Sequence, residues 1–102
     1  MSPSNETLIN YLLDLVYLLV EQGNDALRVA ESGSRSAEEV AFEAGKAFGT
    51  FQALSLINNQ AIAFGISLRK IKLDKIDIDR ELVRSCKALR SNALNKSHPL
   101  SL

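Results

Sequence analysis

Residues 36–66 read SAEEVAFEAGKAFGTFQALSLINNQAIAFGI, and both ends of one long helix are written into them. Ser36-Ala37-Glu38-Glu39 is a capping box, in which the serine hydroxyl accepts a backbone N–H three residues on and the glutamate reaches back. Gly65 after Phe64 has the character of a left-handed C-terminal residue, and Ile66 is the apolar residue that closes such a cap. Between these ends Ala37, Val40, Ala44, Ala47, Phe51, Leu54, Asn58 and Ala61 alternate spacings of three and four, which is one face of a helix. A second series, Ala37, Ala41, Gly45, Gly49 and Ala53, recurs every four residues and makes a smooth ridge of small side chains. Gly45 and Gly49 each cost about 1 kcal/mol of helix propensity relative to alanine, a cost offset if another backbone packs across them. That backbone is either the neighbouring helix of the same chain or a second chain.

Toward the N-terminus, Leu8, Leu12, Leu15 and Leu19, and one position on Ile9, Leu13, Val16 and Val20, carry the same alternation. The first helix opens at Pro3 behind Ser2, or at Ser4 or Asn5, and runs to about Glu31 with Gly23 as a weak or kinked point. Ser32-Gly33-Ser34 breaks it. Each long helix is about 28 residues, or roughly 42 Å, and the five-residue connection makes the two antiparallel neighbours. Beyond Gly65, Ile66 to Leu73 is a short helix capped by Ser67 or, failing that, a strand with nothing to pair with. Asp77 or Asp79 then caps a last helix of about a dozen residues, with Leu82, Cys86, Leu89 and Ala93 on one face. The expected fold is all-α: a helical hairpin plus one or two short C-terminal helices, forming a single domain over 1–94 with a flexible tail over 95–102.

The chain has 102 residues, 46% of them hydrophobic and 24% charged. A compact monomer of this mass buries about 65% of its surface, enough for one modest core and too little for two domains. Its single cysteine rules out an internal disulfide framework and suits a reducing compartment. Leu8 to Val20 is too short, and too interrupted by Asn10 and Asp14, for a membrane span of about 20 residues. It also lacks the basic lead-in of a signal peptide. The expected location is the cytoplasm.

Helix one is apolar around most of its circumference, leaving a narrow polar stripe through Thr7, Asn10, Asp14 and Glu21. A two-helix hairpin cannot cover such a surface, so a third helix, a second copy or a partner must lie against it. A homodimer pairing two hairpins into a four-helix bundle is the expected solution. Its contact residues would be Leu12, Leu15 and Leu19 with Ala41, Gly45, Gly49 and Ala53.

No catalytic constellation is present in the sequence, and the expectation is a non-enzymatic protein without cofactor or metal. His98, the only histidine, sits in the Pro-containing tail, where a nucleophile pair would have no rigid frame. Cys86 reads as a small hydrophobe on the last helix. There is no C-x-x-C, H-E-x-x-H, G-x-x-x-x-G-K or G-x-G-x-x-G. Glu38, Glu39 and Glu43 open helix two, where acids suit the helix dipole and face water. Asn58 interrupts an apolar seam, the usual device for fixing register and oligomer state, and Phe48, Phe51 and Phe64 read as core.

Charge is distributed unevenly. Residues 1–68 hold three basic residues against eight acids, a net of −5; residues 69–102 hold nine against four, a net of +5. In one reading the basic last helix docks on an acidic hairpin, its own or its mate's. In a second, the acidic hairpin receives a basic protein. The expected function follows the second: a helical interaction protein, in its concrete form an immunity or antitoxin protein covering a basic nuclease toxin through Glu38, Glu39 and Glu43. The alternative is a nucleic-acid-associated regulator using the segment Arg69 to Arg90, with Arg69, Lys70, Lys72, Arg84 and Lys87 on phosphates.

Overall fold

A computed structural model describes residues 4–97, and side chains as far as Arg90. Three helices follow one another: α1 (Asn5–Glu31), α2 (Ala37–Ala63) and α3 (Ile78–Ser97), joined by turns, with no strand among the described residues. The alternative start at Pro3 and the tail residues from His98 onward lie outside the described residues. Ser4 caps α1, its Oγ accepting the Thr7 backbone N–H at 3.1 Å.

The two long helices pack side by side as an antiparallel hairpin, each 27 residues or about 40 Å long. At the start of α2, Ser36 Oγ accepts the Glu39 N–H at 3.2 Å and donates to Glu39 Oε1 at 3.2 Å. At its end Gly65 turns left-handed at φ +72°, so that the Ile66 N–H reaches the Ala61 carbonyl at 2.8 Å and the Gly65 N–H the Ile62 carbonyl at 3.1 Å. This is the glycine-terminated cap with its apolar closure, Ile66 packing against the core.

Gly23 does not interrupt α1, which runs unbroken from Asn5 to Glu31. It is buried, and a Cβ there would come within 2.9 Å of Phe51 Cε2 and Cζ and 3.3 Å of Thr50 Cγ2. Glycine fits at this point because the rim of the Phe51 ring comes too close to the helix backbone to leave room for a side chain. Phe51 is the largest fully buried side chain, and Val16, Leu27, Leu54 and Ile71 complete the centre of the core.

Residues 66–77 form neither the short helix nor the strand expected. They run as consecutive turns, with Lys72 at φ +63° and the Leu73 N–H on the Leu68 carbonyl at 2.9 Å. Ile71 and Leu73 are buried, and Ile66, Leu68 and Ile76 pack against the core beside them. A helix would scatter these five around its circumference; turns deliver all of them to one side.

The last helix is longer than expected, 20 residues against about a dozen, and it is rotated. Its buried positions are Ile78, Glu81 and Ser85, with Leu82 and Leu89 half-buried, whereas Cys86 is exposed. α3 packs along α2 and barely touches α1. The molecule is therefore a rod of 62 × 23 × 22 Å with a radius of gyration of 16.8 Å, against about 13 Å for a compact chain of this length.

Candidate protein–protein interface

Because α3 lies on one flank of α2 and α1 on the other, the hairpin has a covered and an uncovered face. On the covered side, Ser55, Asn58 and Asn59 of α2 meet Asp77, Ile78 and Asp79 at the start of α3. Asn58 thus lines a cleft between α2 and the start of α3. On the same side the turns lie across α1, where Lys72 and Ile76 face Asn10, Leu13, Asp14, Tyr17 and Val20 over a cleft of about 680 Å³. The Tyr17 hydroxyl donates to Glu21 Oε2 at 3.1 Å, and this bond, with the carboxylate charge behind it, pushes the phenol above its ordinary pKa.

The uncovered face has two notches between α1 and α2. Near the connection, Val29 and Phe42 sit among Arg35, Glu38, Glu39 and Glu43. Near the open end, Leu12 faces Leu56, Ile57, Phe64 and Ile66. Large apolar side chains stand in water along this face: Leu8, Tyr11 and Leu18 from α1, Phe42 and Leu56 from α2, and Phe64 just past its end at 78% exposure. Phe64, read from the sequence as core, is the most exposed of them. The core stops short of it, since α1 has no buried residue before Val16.

None of the seven residues singled out as helix contacts is buried. Leu12, Leu15, Leu19, Ala41 and Ala53 are half-buried, and Gly45 and Gly49 are exposed. A Cβ at Gly45 or Gly49 would meet nothing within 4 Å. Packing inside the hairpin therefore does not account for these two glycines; the close approach within the hairpin is at Gly23.

The acids frame one end of the face. Glu38 and Glu39 are exposed and Glu43 half-buried, with Arg35 reaching Glu39 Oε2 at 3.4 Å as the local counter-charge. Of the candidate phosphate-binding residues, Arg69, Lys70 and Lys72 lie exposed in the turns and Lys87 is exposed on α3. Arg84 is engaged within the fold. Its Nη2 donates to Glu31 Oε1 at 2.6 Å, and its Nη1 donates to both oxygens of Glu81 at 3.1 Å. The hydrogen bond to Glu31, then that to Glu81, raises the guanidinium pKa above its ordinary value. This pair ties α3 to the end of α1 and is a direct instance of the basic helix docking on the acidic hairpin. The sequence reading missed Glu81 and Ser85 as buried positions. The available signal was spacing: Glu81 stands one turn before Arg84, and Ser85 four residues after Glu81, where its hydroxyl returns to the Glu81 carbonyl at 2.9 Å.

Among the described residues no three of His, Cys, Asp and Glu come together as metal ligands, and no helix is long and apolar enough to cross a membrane. No family model, curated protein or solved structure matches the chain.

Proposed function

We propose that the chain is a non-enzymatic helical interaction protein that pairs hairpin against hairpin into a dimeric four-helix bundle and binds a protein partner. The observation that carries this reading is the uncovered face, about 40 Å long, where large apolar side chains and two helical glycines without neighbours stand open to water. The acidic edge at Glu38, Glu39 and Glu43 around Phe42 is the part suited to a basic protein, and an immunity or antitoxin protein masking a nuclease is its concrete form. Phe42 offers a rigid aromatic anchor inside a polar rim, the arrangement that dominates binding energy at interfaces. The nucleic-acid reading has weaker support, because Arg84 is committed to Glu31 and Glu81.

Gly49→Leu tests the pairing cleanly. The added side chain meets open space in the single chain and improves helix propensity by up to about 1 kcal/mol. The folded monomer is expected to keep or gain stability while sedimentation shows the dimer lost. An unchanged oligomeric state in Gly49→Leu removes the ridge from the interface.

A further inference from the structure

We infer that the cleft between α1 and the turns binds a free apolar α-amino acid, with its ammonium on Asp14, its carboxylate on Lys72 and its side chain against Val16 and Ile76. The cleft lies on the covered side of the hairpin, so this site is separate from the pairing face and stands or falls without it.

The cleft has the form of a small-molecule site. Its volume of about 680 Å³ falls within the about 300–1,000 Å³ typical of such sites, which are mostly apolar with a few placed polar groups. Leu13, Val16 and Val20 of α1 and Ile76 of the turns supply the apolar lining, with Val16 the most deeply buried at 1% exposure.

Its two charges are opposite in sign and come from different walls. Asp14 stands on α1 and Lys72 in the turns, and both are exposed. Among the described residues neither forms an ion pair, with the other or with any third group. The neighbouring Tyr17 hydroxyl is already held by Glu21. A simple anion in the cleft meets repulsion from Asp14, and a simple cation meets it from Lys72. A zwitterion satisfies both. An α-amino acid carries ammonium and carboxylate on one carbon, which leaves its side chain to reach the apolar lining.

Lys72 adds an independent observation. It is a non-glycine residue held at positive φ, +63°, a conformation that glycine adopts without steric cost. The turn there buries Ile71 and Leu73 on either side of it, and glycine at position 72 serves that purpose better than lysine. The fold accounts for the backbone conformation but not for the side chain; a charge required at the cleft accounts for it.

The test titrates the full, 15N-labelled chain with L-phenylalanine and follows the amide resonances. Saturable shifts centred on residues 10–20 and 72–76 are expected. Phenethylamine lacks the carboxylate, 3-phenylpropionate the ammonium, and free glycine the apolar side chain; each should bind at least about tenfold more weakly. Lys72→Gly should keep or raise the Tm while weakening phenylalanine about tenfold and leaving phenethylamine unaffected. Asp14→Asn should weaken phenylalanine and phenethylamine but not 3-phenylpropionate. The proposal is overturned by an absence of saturable shifts at millimolar phenylalanine, by shifts centred elsewhere, or by 3-phenylpropionate binding as tightly as phenylalanine. Wild-type affinity for phenylalanine in either variant overturns it too.

Discussion

Gly23 and Gly45 show how one residue type does opposite work in two helices of one hairpin. At Gly23 a methyl group would press into the edge of the buried Phe51 ring, which has no room to retreat. At Gly45 it would stand in open space. Gly45→Ala therefore collects the propensity difference and is expected to stabilise the monomer by about 1 kcal/mol. In Gly23→Ala the same gain is outweighed by overpacking, for a net loss of about 1 kcal/mol or more. Urea denaturation at dilute, monomeric concentration measures both, and equal shifts in one direction would show that the Gly23–Phe51 contact does not limit packing. The pair also separates two glycines that look identical in sequence: Gly23, which a close approach within the chain requires, and Gly45, which no contact within the chain requires.

Among the elements, the hairpin was legible and the C-terminal third was not, and particular residues explain why. Ser36, Glu39, Gly65 and Ile66 announce the ends of α2 through local hydrogen bonds that depend on few neighbours. The seam through Ala44, Phe51 and Leu54 is buried as its period requires. In α3 the inward face carries Glu81 and Ser85, whose polarity argues for solvent until their partners are seen. Ser85 satisfies itself on its own helix, and Glu81 is neutralised by Arg84. The proposed contact residues are chosen by spacing, and which side of the hairpin α3 leaves open depends on long-range packing that spacing does not carry. This arrangement sets an order of costs. The Arg84–Glu31 pair is about 40% exposed on both sides, so Glu31→Ala should cost only about 0.5 kcal/mol. Arg84→Ala also strips the buried Glu81 carboxylate of its closest counter-charge, leaving Arg80 at 3.4 Å, and should cost about 2 kcal/mol. Amide exchange in α3 should rise in step with the second and hardly with the first. Equal effects would mean that Glu81 draws its compensation from elsewhere.

At the scale of the molecule, zero net charge composed of an acidic hairpin and a basic C-terminal third favours association over repulsion between copies. A rod with six large apolar side chains exposed along one long face gains most from a partner of the same length, and a second copy is the proposed one. If that pairing contributes to stability, melting must depend on protein concentration, because mass action favours the folded dimer as concentration rises. Each tenfold increase supplies about 1.4 kcal/mol of association free energy, enough to raise the Tm by a few degrees in a domain of this size. Leu18→Lys places a charge on the exposed face of α1 without touching the core, since Leu18 is already 46% exposed. The expected outcome is a Tm that climbs with concentration in the wild type and is flat in Leu18→Lys, the two chains having the same helicity by circular dichroism. A wild-type Tm independent of concentration would mean that the face is not closed by a second copy, and a dependence retained in Leu18→Lys would place the contact elsewhere on the rod.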